Sequence, residues 1–369
     1  MNSNDYQIHF DCGFSILRAA AFNKIDLSKI FSNKSKFLFD YTEIGLEIQK
    51  IITYLEKNTG EYIDDINLMI DSSKMKSIGI SMSKIIDQSQ LQNEDIQFLV
   101  QEAKQQILKY YNDQNVIHII INNYKINNID YDYLPQDIKS NFISLDMLFI
   151  CIPKETVDNF KNLFHKFDIS INQITCSSYA KAINYKDNFP LYKNISFIDV
   201  GFNKTSVITF FNNKIISLDI LLIGGNHITK DISKILKINL EQAENYKINF
   251  NKCDLFLNDK DFSLELLQKI IIARTEEIVE MCMQSIKSNL NRIDQHKIII
   301  TGEGSKILNI QSKDKTALFM DVVFLEETTK DICLSGFKLG MGLNKQEVAV
   351  VPKIPIKQGF FEKLFHFFR

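Results

Sequence analysis

Apolar positions along the chain switch between two spacings, and the switches mark the expected elements. Residues 6–10 predict a strand, the turn Asp11-Cys12-Gly13 follows, and residues 16–22 predict a second strand. A short third strand over 37–39 precedes a helix over 42–57. There Ile44, Ile48, Ile51, Ile52 and Leu55 recur at helical spacing and make one apolar face. A buried strand over 66–70 comes next, and then the character of the chain changes. After residues 76–80 the pattern predicts an acidic helix over 93–110, with Asn93 placed to cap it ahead of Glu94 and Asp95. Strands over 116–122 and 145–152 and a helix over 154–167 complete a compact α+β insertion.

The first unit then returns. Residues 195–200 predict an apolar strand ending in Asp199-Val200-Gly201, and residues 205–211 a second strand. Asn212-Asn213 supplies a tight turn into a third strand over 215–223. Gly224-Gly225 and a helix over 226–236 follow. Strand, Asp-x-Gly, strand, strand, helix thus occurs twice, which implies two similar halves. Helical segments over 241–247 and 263–290 lead to a strand over 297–301, which runs into Gly302-Glu303-Gly304-Ser305.

Composition narrows the class. At 369 residues and 45% apolar, the chain can build two separate cores. Its 43 Lys plus Arg against 45 Asp plus Glu create no global positive field, so nucleic acid is not an expected partner. Six scattered cysteines (Cys12, Cys151, Cys176, Cys253, Cys282, Cys333) without a CxxC pair argue against a zinc site and suit a reducing compartment. The first residues carry no secretory pattern, and no run of about 18 apolar residues is present to span a bilayer. The expected location is cytosolic or on a membrane surface.

An Asp-x-Gly turn between strands has a definite chemical use. Glycine lets consecutive N–H groups face phosphate oxygens, while the aspartate orients a magnesium ion through water. One such turn is commonly an ordinary hairpin. Two copies at matching points of a repeat, with a later strand and Gly-x-Gly-Ser turn, point to a triphosphate clamped between halves.

These motifs resemble those of the actin, sugar kinase and heat-shock chaperone superfamily. Asp11-Cys12-Gly13-Phe14-Ser15 resembles its first phosphate motif, Asp199-Val200-Gly201-Phe202-Asn203-Lys204-Thr205 its second, and Ile299-Ile300-Thr301-Gly302-Glu303-Gly304 its adenosine motif. Within the superfamily, the run Leu221-Leu222-Ile223-Gly224-Gly225-Asn226-His227-Ile228-Thr229-Lys230-Asp231-Ile232 and the segment Glu241-Gln242-Ala243-Glu244-Asn245-Tyr246-Lys247 are similar to the bacterial cell-division family FtsA. So is the insertion, which actin and the rod-shape family MreB lack at that place.

The resemblance implies an α/β, duplicated actin-like (ribonuclease H-like) fold with an inserted α+β subdomain and a C-terminal amphipathic helix. The implied first half is 1–79, with 173–194 and 331–347 returning to it, and the insertion is 80–172. Residues 195–225 and 297–330 form the second half, 226–296 its smaller subdomain, and 348–358 a linker to the helix at 359–369. The cofactors implied are ATP and Mg2+. The nucleotide would be held by Asp11, Gly13, Ser15, Asp199, Gly201, Asn203, Thr205, Gly225, Glu244, Lys247, Gly302, Gly304 and Ser305, and the metal by Asp11 and Asp199. Glu244 and Lys247, with Arg274 on the next helix, would lie near the ribose or base; the alternative is a solvated helical face.

Departures from the family pattern bear on turnover. Phe14, Ile16, Asn203 and Glu303 stand where the family carries other residues, and Ser177-Ser178 occupies the place of a Glu-Pro. Such a carboxylate would position the attacking water, so no catalytic residue is assigned and ATP binding with little or no hydrolysis is expected.

The last eleven residues segregate cleanly on a helical wheel. Phe360, Phe361, Leu364, Phe365, Phe367 and Phe368 share one arc, while Glu362, Lys363, His366 and Arg369 share the other. Such a helix lies in the headgroup region of a membrane; the alternative is a helix docked on its own domain. The resemblance implies self-assembly into a polymer, FtsZ and other divisome proteins as partners, and a peripheral place on the inner face of the cell membrane at the division site. Two alternatives stay open: PilM, the actin-like scaffold of type IV pilus machinery that shares the insertion, and a sugar kinase of the same superfamily.

Overall fold

The computed structural model of the chain describes residues 5–36, 44–135, 138–250, 264–290, 296–312, 321–342, 344 and 346–348. Strands β1 (Tyr6–Cys12) and β2 (Ile16–Asn23) form an antiparallel hairpin closed at Gly13, and β3 (Ile30–Lys36) adds along β2. That third strand precedes the expected position at 37–39, which lies outside the described residues. Its sequence Ile-Phe-Ser-Asn-Lys-Ser-Lys is that of a half-exposed edge strand, so it carries no apolar run to betray it. Helix α1 (Ile44–Thr59) buries Ile48, Ile51, Ile52 and Leu55, the face selected by the helical spacing. It carries the chain back so that β4 (Asp65–Ile70) runs parallel to β1.

The insertion follows as β5 (Lys76–Gln90), α2 (Asn93–Tyr110), β6 (Gln114–Ile126), the short β7 (Ile129–Tyr131) and β8 (Lys139–Pro153). The long strand β5 is absent from the sequence expectation because serines and lysines interrupt its apolar positions. Helix α2 lays Ile96, Leu99, Val100, Ala103 and Ile107 on the inserted sheet, over Ile119, Ile121, Leu145 and Phe149. Its cap is Gln92 rather than Asn93, and the Asp95 carboxylate accepts the Gln92 N–H at 3.1 Å. Helix α3 (Lys154–His165) turns away from this sheet and buries Val157 and Phe164 in the core of the first sheet, where Phe164 meets Phe10 edge-on. Strand β9 (Ser170–Cys176) then runs parallel to β4 and completes the order β3-β2-β1-β4-β9.

Helix α4 (Ser177–Lys186) crosses to the second sheet, whose first strands are β10 (Ile195–Val200), β11 (Thr205–Phe211) and β12 (Lys214–Leu221). Asn212 and Asn213 adopt φ of 50° and 66°, the left-handed pair that a two-residue hairpin of this twist requires. Helices α5 (Gly225–Leu236), α6 (Leu240–Ile248) and α7 (Leu264–Asn289) lead to β13 (Lys297–Thr301), α8 (Ser305–Ser312) and β14 (Val322–Phe324). The order β12-β11-β10-β13-β14 repeats the first sheet strand for strand: an antiparallel meander of three, then two parallel additions.

Two helices bind the halves together. From α4, Tyr179, Ala180 and Ile183 pack with Phe197, Ile208 and Phe210 of the second sheet. Helix α9 (Thr329–Gly340) follows the second sheet yet returns to the first, stacking Phe337 on Phe22 at 4.8 Å. The short β15 (Glu347–Val348) pairs with β6 of the insertion. Residues 359–369, expected as an amphipathic helix, lie outside the described residues.

Candidate functional site

Both sheets end their first hairpin at one cleft. At the turn after β1, the Gly13 N–H donates to the Ile16 carbonyl at 3.0 Å; after β10, the Gly201 N–H donates to Lys204 O at 2.9 Å. The turn after β13 lies against them. Gly302 has φ of 89°, and a β-carbon there would come within 2.5 Å of Asp199 Oδ1, so only glycine fits. Its N–H donates to Glu327 Oε2 at 2.8 Å. The cavity between these turns measures about 90 Å3 and is lined by Asp11, Gly13, Phe14, Ser15, Arg18, Asp71, Ser177, Lys181, Asp199, Gly201, Lys204, Gly302, Glu303 and Glu327, among others.

Charge dominates this lining: three cations face five carboxylates. Arg18 stands opposite Asp11 in the β1–β2 register and bonds Asp11 Oδ2 at 3.1 Å through Nη1. Through Nη2 it reaches Glu303 Oε1 of the second half at 3.2 Å. Lys181 of α4 places its Nζ 2.8 Å from Asp199 Oδ2 and 3.1 Å from Glu327 Oε1. Lys204 crosses from the second half to Asp71 Oδ2 at 2.9 Å and also donates to Ser206 Oγ. Ser177 Oγ donates to Asp11 Oδ1 at 2.6 Å, and Tyr185 Oη to Glu327 Oε1 at 2.8 Å.

Burial and pairing pull against each other in these groups. Burial disfavours the Lys181 ammonium, but Asp199 and Glu327 outweigh it and raise its pKa. The same contest, burial against Asp11 and Glu303, ends with Arg18 raised. For Asp71, burial pushes the carboxyl up while Lys204 and its hydrogen bonds bring it below the ordinary value. Glu327 goes the other way, since burial and the nearby Asp199 charge lift it despite Lys181. Removing one partner from pairs this deep strands a buried charge, at a cost of about 3–5 kcal/mol.

The structure brings together part of the expected residue set. Asp11, Gly13, Ser15, Asp199, Gly201 and Gly302 line the cavity; Asn203, Thr205, Gly225, Glu244, Lys247, Gly304 and Ser305 do not. Thr205 donates its hydroxyl to Ile223 O, Ser305 donates to Gly302 O, and Asn203 accepts from Asn226. Gly304 packs flat on Val200. Glu244 and Lys247 form a buried pair joined to Thr229 and the Gly225 carbonyl, and Arg274 bonds Asp231 at 2.6 Å on the outer side of α5.

Four charged lining residues escape the sequence reading, Arg18, Asp71, Lys181 and Glu327, while Lys204 stands in the second motif without an assigned role. One left a signal: Arg18 is a lone cation in the apolar run Ile16-Leu17-Arg18-Ala19-Ala20-Ala21, whereas Lys181 sits in a helix whose sequence has no apolar stripe to show that it is buried. A cation in a buried strand or helix must have a partner. Asp71, Lys204 and Glu327 sit in loops with no such pattern.

Lys and Arg are the side chains that hold phosphate groups, and here three of them line the cavity, each paired with a carboxylate. Asp11 and Asp199, the expected magnesium ligands, are already engaged: both Asp11 oxygens accept hydrogen bonds, and Asp199 is paired with Lys181. Among the described residues no cluster of three or more His, Cys, Asp or Glu has the arrangement of a metal site. The acid missing at Ser177 is not made good either, since Asp71 and Glu327 each face a lysine.

Comparison with known proteins places this geometry. A family model described as cell division protein FtsA matches residues 196–322, from β10 to β14. The chain is 20% identical over 308 residues to the cell division protein FtsA of Agrobacterium fabrum, covering 78% of this chain and 69% of that one. It is 24% identical over 269 residues to FtsA of Bacillus subtilis, covering 68% and 57%. Among solved structures, the PilM–PilN type IV pilus biogenesis complex superposes with a TM-score of 0.60 at 11% identity, covering 89% of this chain and 90% of that one. MreB5 of Spiroplasma citri bound to AMPPNP gives 0.51 at 11% identity, covering 93% and 98%. The chain therefore has the actin-like ATPase fold, and in sequence it is similar to the cell-division protein FtsA.

Proposed function

We propose that this protein is an actin-like scaffold of bacterial cell division that self-assembles and ties a cytosolic FtsZ polymer to the inner face of the cell membrane. The observation that carries this reading is the sequence match to FtsA across the second sheet, in a chain whose two sheets repeat one topology around a shared cleft. The small subdomain within 226–296 is the proposed FtsZ-receiving surface, and the aromatic face of residues 359–369 the proposed membrane contact. Among the described residues no helix is long and apolar enough to cross a membrane, which is compatible with a peripheral attachment. Other divisome proteins would join the same scaffold.

The ligand proposed for the cleft is an adenine nucleotide. The likeness to an MreB5 solved with AMPPNP supports it, as do the three convergent cations. Hydrolysis would be slow or absent, because every carboxylate near the phosphate position is ion-paired rather than poised to orient water. The likeness to PilM, at 11% identity, speaks to fold and not to a role in pili.

The test combines the full chain, purified FtsZ and vesicles containing anionic lipid. FtsZ should reach the vesicle pellet when the chain is present and stay in the supernatant without it. FtsZ that remains soluble beside pelleted chain would overturn the adaptor reading, and binding to a pilus-system peptide instead would favour the PilM-like one.

A further inference from the structure

The cations of the cleft do more than line it. Two of them bridge carboxylates from different segments, in the manner of a divalent ion. Arg18, on β2 of the first sheet, holds Asp11 of the same sheet and Glu303 of the second half. Lys181, on the crossing helix, holds Asp199 at the end of β10 and Glu327 in the loop leading to α9. Lys204 makes a third crossing to Asp71 at the end of β4. All three side chains are at least nine-tenths buried. Glu327 ties this network to the third turn as well, by accepting the Gly302 N–H.

From this arrangement we infer that Arg18 and Lys181 stand in for a divalent metal, so that the two halves are latched closed without metal or nucleotide. The inference deepens the nucleotide reading of the same cleft, and rests on it only in taking this cavity as the phosphate site. The physical reasoning is one of charge. A magnesium ion between the hairpins would supply two positive charges to Asp11 and Asp199; here a guanidinium and an ammonium already supply them. Placing a metal on the same carboxylates would drive two buried cations off their partners in a confined, low-dielectric space. A nucleotide entering the cleft would instead meet cations that are already fixed, and would bind through them without a metal bridge to the protein.

The consequence is a scaffold that keeps its closed form when nucleotide is scarce. Assembly would then follow protein concentration and membrane, rather than the cycle of nucleotide binding and release.

The experiment uses the full chain in EDTA, in Mg2+ alone, in ATP with EDTA, and in ATP with Mg2+. Thermal unfolding and small-angle scattering give the readouts, and labelled ATP in equilibrium dialysis reports binding separately. The expected result is a melting temperature that differs by less than about 1 °C between EDTA and Mg2+, the same radius of gyration in all four conditions, and an ATP affinity changed less than about twofold by Mg2+. Contraction on adding Mg2+ and ATP, or a tenfold gain in ATP affinity with Mg2+, would overturn the latch. If no ATP binds in either condition, the nucleotide proposal falls, while the melting and scattering arms still decide the latch. Lys181→Ala should create the missing dependence, because Asp199 and Glu327 then face each other with no cation. Magnesium should stabilise that variant while leaving the wild type unmoved; equal responses count against the inference. Should the variant not fold, the wild-type arms decide alone.

Discussion

At the scale of single residues, the cost of burying a polar group is clearest at His9. Its ring is 2% exposed, sits edge-on to Phe22 and Phe337, and has Nε2 3.4 Å from Asn67 Nδ2. Nδ1 has no hydrogen-bond partner among the described residues. Burial lowers its pKa from 6.5 to about 3. The folded state therefore resists a proton that the unfolded chain accepts near pH 6.5, so this contribution to stability is complete above that value and is lost as pH falls from there toward 3. At pH 5 the loss from this group amounts to about 2 kcal/mol. Urea unfolding at pH 7 and pH 5 measures it: the wild type should lose about 2 kcal/mol more than His9→Leu, and equal losses would refute the assignment. His9, like Arg18, occupies an inward position of a strand that apolar neighbours mark as buried. Sequence pattern shows that such a residue is inside; it does not show whether the residue is neutralised by a partner, as Arg18 is, or by giving up its charge, as His9 does.

At the scale of elements, the pattern revealed what was apolar and periodic and concealed what was polar or pinned from afar. Strands β10, β11 and β13 and the buried face of α1 stand where alternation and helical spacing put them. Edge strand β3 and the serine-rich β5 did not show. Nor did α4 and α9, whose burial comes from packing between the halves and not from one stripe facing one sheet. The α5–α6 pair gives the second prediction. Lys247 on α6 donates to Gly225 O at 3.0 Å, Thr229 Oγ1 at 2.8 Å and Glu244 Oε2 at 2.6 Å, fastening α6 under the start of α5. Burial lowers the Lys247 pKa even though Glu244 opposes it, the mark of a cation held in a dry place. Lys247→Met leaves Glu244 buried without its cation and should cost about 3–5 kcal/mol, whereas pairing it with Glu244→Leu should recover much of that loss. A double-mutant cycle by urea unfolding checks the coupling. A single-variant cost below about 1 kcal/mol would place both residues on a solvated surface instead.

At the scale of the whole molecule, membrane attachment and assembly become one problem. A buried aromatic or leucine side chain gains roughly 1.5–3 kcal/mol in a full interior and less at an interface. Ordering a short helix takes part of that back, and each nearby Lys or Arg adds on the order of 1 kcal/mol at an anionic surface. One proposed tail of the sequence from Gly359 to Arg369 would therefore hold a single molecule weakly and reversibly. A polymer multiplies such contacts, because the second and later tails bind at high effective concentration. A chain ending at Lys357 should stay in the supernatant of anionic vesicles, and Phe361→Glu with Phe365→Glu in the full chain should do the same. Wild-type pelleting should rise more steeply than linearly with protein concentration, since attachment and assembly reinforce each other. Equal pelleting of the truncated and full chains would end the tail proposal. A linear rise in the full chain would leave a tail that binds one molecule at a time and would remove the link to assembly. With the latch keeping the cleft closed in every nucleotide condition, that concentration curve should also be the same in ATP and in EDTA, which ties the behaviour at the membrane back to two cations buried between the halves.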